Sequence, residues 1–181
     1  QEEQIGFVLF EAEALDGTVY EILRGEISSA LQGALLVQRV QQRSAELARK
    51  QYILDTFIET VPDRIWFKDR EGRFTRANRA HALGLGLEDP REEIGKTDAD
   101  FYGVEVSKTQ ASDEQEILRT GQPMLNKEVS STEPDGSQRW SLVTKMPLLD
   151  ENQNIIGTFG ISRDITALKH AQEELQQHAH E

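Results

Sequence analysis

The stretch Gly157-Thr-Phe-Gly-Ile-Ser-Arg-Asp-Ile-Thr166 decides the fold of this chain. It overlaps an apolar run, Ile155–Arg163, that has the length and the residue types of a β-strand. After this run the pattern changes to helical spacing, with one apolar stripe formed by Leu168, Ala171 and Leu175. The stretch therefore predicts a strand that leads directly into a helix.

Two further strand-like runs precede this one, Leu125–Ser131 and Arg139–Pro147. Turn-forming residues separate the three runs, at 133–136 and at 150–154. The middle run alternates clearly, so that one face is shared by Trp140, Leu142, Thr144 and Met146. The three runs predict neighbouring strands of one sheet.

A hairpin and several short helices are predicted before these strands. Arg64–Lys68 and Arg73–Arg76 have the pattern of two strands on either side of the turn at 69–72. Helix signals then follow at Asn78 (a short helix around 81–83), Asp89-Pro90, the capping-box pattern Thr97–Asp100, and 106–119, which Gly121 and Pro123 close. This order predicts an α+β fold, a five-stranded antiparallel sheet with helices on one face.

Residues 18–60 contain no proline and are rich in helix formers. At 1.5 Å per residue they would form a helix of roughly 60 Å, longer than a small domain can cover. Residues recur at spacings of three and four, with a slip in phase after Val37 and polar Ser44 and Gln51 at two core positions. The repeat consists of Leu23, Ile27, Ala30, Ala34, Val37, Val40, Leu47, Leu54, Ile58 and Val61. It predicts a parallel dimeric coiled coil over 35–60, ended by Pro62; the alternative is one amphipathic helix lying on its own domain.

Composition excludes several classes of protein. The 181 residues include no cysteine, which removes disulfide frameworks, cysteine-based metal sites and cysteine nucleophiles. Lys and Arg number 20 against 32 Asp and Glu, and the net charge of −12 repels nucleic acid and anionic lipid. No apolar run approaches the roughly 20 residues that cross a bilayer. We therefore expect no nucleic-acid partner and no membrane contact within this segment.

Residues 61–166 resemble a PAS domain, the bacterial sensor module in which a five-stranded antiparallel sheet is cupped against short helices. Seven motifs carry this resemblance, in the order and spacing of the family: Ile65-Trp-Phe-Lys-Asp69, Phe74-Thr-Arg-Ala-Asn78, Gly95-Lys-Thr-Asp-Ala-Asp-Phe101, Asp113-Glu-Gln-Glu-Ile117, Arg139-Trp-Ser-Leu142, Thr144-Lys-Met-Pro-Leu148 and the stretch 157–166 quoted above. The closing Asp-Ile-Thr is a specific marker of the family.

The flanking segments resemble parts of the same kind of signalling protein. Residues 1–16, with the strand-like run Ile5–Phe10, resemble the tail of a GAF-type domain, and 17–60 resemble a signalling helix. Residues 167–181 are similar to helices that lead into a histidine-kinase dimerisation domain or a diguanylate cyclase. Because the chain begins at Gln1 rather than Met, we expect it to be a fragment of a longer protein. The resemblance implies a non-catalytic part of a cytoplasmic bacterial multidomain protein, most readily a sensor histidine kinase. Its expected partners are a second copy and the neighbouring domains.

The resemblance also assigns roles to individual residues. Coupling of the last strand to the output helix is expected at Asp164, Ile165 and Thr166. A cup for a small ligand would be lined by Trp66, His81, Trp140, Leu142 and Met146. The dimer contact of the long helix would be made by Val37, Val40, Leu47, Leu54 and Ile58.

No cofactor is predicted, although an unknown small ligand is compatible with the family. Flavin photochemistry through a cysteine is excluded, and a haem ligand could come only from His81, the one histidine within 61–166. A core or surface histidine is the plainer interpretation of that residue. An alternative to a sensor or a haem protein is a ligand-free spacer that promotes dimerisation. A filled apolar interior between sheet and helices would favour the spacer, and converging polar groups there would favour a sensor.

Two further sets of residues have a functional and a structural interpretation. Asp98 and Asp100 would form a metal pair or, more simply, cap a helix N-terminus; no metal is predicted. His180 beside Glu181 matches the histidine-acidic pair of a kinase phosphoacceptor site. In this chain, however, the segment between Thr166 and His180 is shorter than the linker that the family usually has there. Positions exposed to solvent or facing the helix seam are therefore expected for His170, His178 and His180 on the terminal helix.

Overall fold

A long helix, α1 (Gly17–Thr60, 44 residues), leads into the remainder of the chain. The computed structural model describes residues 17–132 and 136–178, so the predicted strand Ile5–Phe10 lies outside the described residues. The boundary between two compact units falls within α1, between Ile53 and Leu54. The long proline-free segment is thus one helix, which confirms this part of the predicted architecture.

The apolar repeat of α1 is exposed to solvent on the single chain. Val37, Val40, Leu47 and Leu54 are each between 56% and 66% exposed, and Ile58 is half-buried. The coiled coil itself remains a prediction. These side chains define the exposed stripe of α1.

Five strands form one antiparallel sheet in the order β2-β1-β5-β4-β3. Their bounds are β1 Arg64–Asp69, β2 Phe74–Ala77, β3 Met124–Thr132, β4 Gln138–Leu149 and β5 Ile155–Asp164. The hairpin of β1 and β2 and the three later strands therefore form one sheet, as predicted, and β5 lies at its centre. This confirms the α+β class and the five-stranded antiparallel sheet.

Most of the connecting helices begin or end at residues that the sequence predicts, but the helix predicted over 106–119 begins two residues earlier, at Val104 after Gly103. They comprise α2 Arg79–Gly84, 3-10 turns at Pro90–Glu93 and Asp98–Asp100, and α3 Val104–Thr120; the C-terminal helix is α4 Thr166–His178. Asn78 caps α2, and capping boxes begin both 3-10 turns, from Asp89 and from Thr97. Gly121 ends α3 in the left-handed conformation, at φ 70°, which costs a glycine little.

The two faces of the sheet have different neighbours. Trp66, Lys68, Val143 and Lys145 point to the inner face, where α2 and α3 pack, because successive side chains of a strand alternate. Phe67 points to the outer face, as do its register partners along β5 and β4. The apolar part of the core lies on the inner face and consists of Trp66, Phe74, Ala77 and Val143, packed against Phe101, Met124 and Val129.

Two glycines of the fold-deciding stretch allow β5 to lie against β1. A Cβ atom at Gly160 would overlap the ring of Trp66, and one at Gly157 would overlap the backbone oxygen of Lys68. Both positions therefore exclude any larger residue unless β1 moves. The stretch decides the fold because it is the strand around which the other strands assemble.

Candidate functional site

The strand β5 passes into α4 through three residues that also bind β4. The backbone N–H of Ile165 donates to the carbonyl of Trp140 at 2.9 Å, and the side chain of Ile165 is buried. The N–H of Trp140 donates to Oγ1 of Thr166 at 2.9 Å. The N–H of Thr166 donates to Oδ1 of Asp164 at 2.9 Å. The predicted coupling residues thus hold the first turn of α4 on the sheet.

Asp164 is well suited to the start of a helix. The hydrogen bonds from Thr166 lower the pKa of its carboxyl group, and the guanidinium of Arg139, 3.8 Å away, acts in the same direction. The carboxylate is therefore ionised at neutral pH. A negative charge before the first turn of a helix is favourable because the free N–H groups there carry positive partial charge.

The connection from α1 to β1 lies beside this junction. The guanidinium of Arg163, one residue before Asp164, donates to both carboxylate oxygens of Asp63, at 2.8 to 3.2 Å. Asp63 itself stands between α1 and β1, and Arg64 pairs with Ser162 across the sheet. The chain therefore enters and leaves the sheet at neighbouring points that an ion pair joins.

Asn78 joins the end of α1 to the interior. Its side chain is fully buried, and its Oδ1 accepts from the N–H groups of Ile65 and His81, each at 3.0 Å. Its Nδ2 donates to the carbonyls of Ile58 at 3.0 Å and Asp63 at 2.9 Å, with Val61 at 3.4 Å. One amide group thus connects the last turn of α1, β1 and α2.

The inner face of the sheet carries a buried network of charges. Lys68 and Lys145 are 2% and 1% exposed. Lys68 contacts Asp98 and lies 2.7 Å from Glu114, while Lys145 lies 3.5 Å from Glu114 and 2.5 Å from Oε1 of Gln110. Burial lowers the pKa of Lys145, and the Glu114 carboxylate opposes that change. We call Lys68, Lys145, Asp98 and Glu114 the buried charge cluster.

A second polar pair lies beside this cluster. Nδ1 of His81 is 2.6 Å from Oε2 of Glu93, and its ring stands 5.2 Å from that of Trp66 and 5.4 Å from that of Phe74. Glu93 is fully buried, and its Oε1 has no hydrogen-bond partner within the part of the chain that the structure describes. Burial also raises the pKa of the nearby Tyr102. The interior thus contains converging polar groups as well as an apolar core.

The five residues predicted to line one ligand cup lie on two surfaces. Trp66 and His81 are together in the interior. Trp140, Leu142 and Met146 point to the outer face, because the inner-face positions of β4 are those of Val143 and Lys145, which alternate with them. The strand period of two therefore divides the predicted cup, and the interior is lined by the charged and aromatic groups above.

The remaining candidates have local partners. Asp98 belongs to the buried charge cluster, whereas Asp100 accepts from Thr97, which lowers its pKa. His170 is exposed on α4, and His180 lies outside the described residues, as does the side chain of His178. Among residues 17–132 and 136–178 no cluster of three or more His, Asp or Glu side chains is arranged to hold a metal ion. No helix in those ranges is both long and apolar enough to cross a membrane.

The sequence reasoning missed the buried charge cluster, the Glu93–His81 pair and the contacts of Asn78 to α1. One signal was present: Lys68 is two residues after Trp66, so strand alternation places both on one face. The partners of Lys68 could not be found in this way, because Asp98 and Glu114 are 30 and 46 residues away in sequence.

Comparison with known proteins gives three relatives with signalling activities. The chain is 27% identical over 140 residues to the methanogenesis regulatory histidine kinase FilI of Methanothrix harundinacea, covering 77% of this chain and 16% of that protein. It is 26% identical over 129 residues to the aerobic respiration control sensor ArcB of Escherichia coli, covering 68% and 16%. A diguanylate cyclase of Vibrio cholerae is 27% identical over 114 residues, covering 62% and 35%. The chain thus spans about a sixth of the two sensor proteins.

Solved structures show the same fold. The PAS domain of Bordetella pertussis BvgS aligns with a TM-score of 0.53 at 23% identity, covering 74% of this chain and 98% of that one. A PAS domain from Colwellia psychrerythraea aligns with a TM-score of 0.52 at 22% identity, covering 66% and 98%. The family model described as the PAS fold matches residues 58–170, from the last turn of α1 to the first turns of α4. This chain belongs to the PAS family.

Proposed function

We propose that this chain is a PAS module that dimerises and relays a signal from α1 through the sheet to an output domain after α4. The observation that carries the proposal is the ion pair of Arg163 with Asp63, which places the entry and the exit of the chain side by side. A displacement of the last turn of α1 therefore reaches the start of α4 across one pair of side chains. The proposed parent is a cytoplasmic sensor histidine kinase, because two of the relatives above are a histidine kinase and a respiratory sensor protein.

The mechanism follows from how α4 is attached. Its first turn is fixed to β4 by backbone bonds of Ile165 and by Thr166, and to β5 by the polypeptide itself. A change in the twist or position of these strands must therefore move the start of α4. Such a change needs two states of the sheet, and a signal selects one of them by binding or contacting it more tightly.

The polar interior supports a sensing role over a ligand-free spacer. A spacer needs only an apolar core, whereas here the space between the sheet and the helices contains the buried charge cluster and the His81–Glu93 pair. Burying such groups is costly, and stability alone does not require them. A small polar ligand that exchanged hydrogen bonds with these groups would change the packing of α3 on the sheet. No metal or cofactor forms part of this proposal.

The exposed stripe of α1 supports dimerisation through a second copy. We expect the chain to sediment as a dimer, and the double variant L47D/L54D to weaken association at least about a hundredfold, because each leucine loses about 1.5–3 kcal/mol of burial. Sedimentation equilibrium of the chain measures this. The control is Tyr52→Asp, since Tyr52 is equally exposed on α1 but lies off the stripe. A monomeric wild type, or equal losses in Y52D, would contradict the proposal.

The relay itself is tested in the natural full-length protein with Asp164→Ala. The change removes the acceptor of the Thr166 N–H and costs about 0.5–2 kcal/mol at the start of α4, so we expect output to change by about twofold to thirtyfold. Phosphate transfer from ATP to the protein is measured first. Cyclic dinucleotide synthesis from GTP is measured second, because one relative is a diguanylate cyclase.

The matched control for this variant is Asp150→Ala. Asp150 also caps backbone N–H groups with its carboxylate, at 2.8 Å to Asn152 and Asn154, but it lies in the turn between β4 and β5. It should leave output unchanged. Urea denaturation of both variants confirms that they remain folded. Normal regulation in a folded D164A protein would refute the assignment of Asp164.

A further inference from the structure

We infer that Lys169 fixes the rotational orientation of α4 on the outer face of the sheet, held between the carboxylate of Glu128 and the ring of Trp140. Nζ of Lys169 lies 2.7 Å from Oε2 of Glu128 and 5.3 Å from the centroid of the Trp140 ring. Glu128 is on β3, Trp140 is on β4, and Lys169 is in the first turn of α4. The inference deepens the proposed relay function and rests on it.

The contacts at the helix start do not set this orientation by themselves. Ile165 and Thr166 both bind the backbone of the same residue, Trp140, so they fix a single point of attachment. A helix held at one point can still swing and roll about it. Lys169 lies almost one turn further along and is bound by a second strand, and two separated attachments define a direction as well as a position.

The two strands present the partners of Lys169 on one surface. Glu128 is paired with Leu142 in the β3–β4 ladder, and Trp140 is two residues before Leu142, so all three point to the outer face. Lys127, the neighbour of Glu128, points to the inner face, where it lies 2.9 Å from Asp113 of α3. Adjacent residues of β3 thus attach different helices on opposite faces.

The orientation of Lys169 determines where the apolar stripe of α4 faces. Leu168 and Leu175 are more than half exposed on the single chain and are seven residues apart, so they lie on one side of the helix. Each residue is rotated by about 100° from the next, so holding Lys169 on the sheet fixes the direction of that side. This stripe is the surface that a following helix pair would continue. Lys169 and Glu128 are therefore positioning residues for the output.

The expected energies separate this role from a structural one. The Lys169 and Glu128 side chains are partly exposed, 23% and 47%, and such ion pairs add little to the stability of a fold. The same small contribution is enough to change the ratio of two helix orientations by up to about fivefold. Loss of the pair should therefore disturb the orientation of α4 while leaving unfolding unchanged.

The experiment uses spin labels, for which the absence of native cysteines is an advantage. Cysteines are introduced at the exposed positions Glu151, in the β4–β5 turn, and Gln172, on α4, and carry nitroxides. Double electron–electron resonance then gives the distance distribution within one chain, with excess unlabelled chain present to dilute spins between copies. In the wild type we expect one narrow distribution.

The variants to be labelled exchange the charges of Glu128 and Lys169. Glu128→Lys and Lys169→Glu should each broaden or shift the distribution by several ångström. The double exchange should narrow it again in part, because it re-forms the ion pair but not the contact of Lys169 with the Trp140 ring. Lys127→Glu, on the opposite face, should have no effect, and high salt should broaden the wild-type distribution because an exposed pair is screened. Urea midpoints should agree among the wild type and the variants at Glu128 and Lys169, and Glu128→Gln replaces Glu128→Lys if that variant fails to fold.

Unchanged distributions in both single variants would overturn the inference, as would a double exchange whose distribution is no narrower than those of the single variants. These measurements require no output domain, so they stand apart from the relay function. If the distributions respond as expected but the full-length protein carrying E128K retains normal output, then the anchoring is correct and the proposed relay is wrong.

Discussion

Replacing Asn78 with alanine is expected to lower the free energy of unfolding by about 3–5 kcal/mol, because buried groups on three elements lose their partner together. The N–H of Ile65 loses its acceptor, and the carbonyls of Ile58 and Asp63 lose a donor. The N–H of His81 loses one of its two acceptors and keeps the backbone carbonyl of residue 78 at 3.0 Å. Each unsatisfied buried group costs about 1–3 kcal/mol, reduced where water enters. Urea denaturation of the chain, followed by far-ultraviolet circular dichroism, measures the loss.

Asn78→Asp separates the contribution of the side-chain oxygen of Asn78 from that of its amide N–H groups. The variant keeps the oxygen that accepts from Ile65 and His81 but removes the amide N–H groups that bind the end of α1. Hydrogen exchange should then increase in the last turn of α1 more than in α2, whereas N78A should affect both. Asn154→Ala is the control, since its side chain makes one exposed bond to Asp150 and should cost less than about 0.5 kcal/mol. A similarly small loss in N78A would show that the buried amide is not needed.

The end of α1 is held on the domain by polar contacts, whereas the stripe further along α1 is apolar and exposed. Asp55 pairs with Arg76 at 2.7 Å, and Glu59 accepts from the N–H of Arg79 at 3.1 Å, so the last two turns of α1 are fixed to the hairpin and to α2 by polar contacts. Polar contacts depend on distance and angle more strongly than apolar packing does. The end of α1 therefore has a defined position on the domain, which a relay of helix movement requires.

Local chemistry made the elements of this fold predictable. The cap at Asn78, the helix start at Asp89-Pro90, the capping box at Thr97 and the glycine that ends α3 each depend on a few adjacent residues, and all of them were predicted from sequence. The strand β5 was likewise evident from its apolar run and from the helical pattern that follows it. Such features need no knowledge of distant contacts.

The face of β4 could not be predicted in the same way. Alternation shows that Trp140, Leu142 and Met146 share a face, but it does not show whether that face is inside. In this strand the two buried residues are Val143 and Lys145, so the apolar pattern pointed to the wrong side. A buried lysine is uncommon enough that sequence alone argues against it. The assignment depends on Gln110 and Glu114, which only the folded chain brings to Lys145.

Replacing Lys68 with methionine is the second large effect that we expect, a loss of about 3–5 kcal/mol in the free energy of unfolding. The methionine fills a similar volume, so the loss comes from Asp98 and Glu114, which remain buried without their shared cation. The matched control is Lys127→Met, which removes a partly exposed pair with Asp113 and should cost no more than about 1 kcal/mol. Equal effects of K68M and K127M would show that the burial of Lys68 does not matter.

A triple variant tests whether the charges of the buried charge cluster serve stability or sensing. Replacing Lys68, Asp98 and Glu114 with methionine, leucine and leucine removes the pairs together with the cost of burying them, and such exchanges often restore or increase stability. Lys145 would lose its 3.5 Å contact with Glu114 but keep the oxygen of Gln110. If the triple variant is as stable as the wild type but the full-length protein no longer responds to its signal, the charges serve sensing. If both stability and response are retained, the ligand-free spacer becomes the better account, because an apolar interior would then do all that the charged one does.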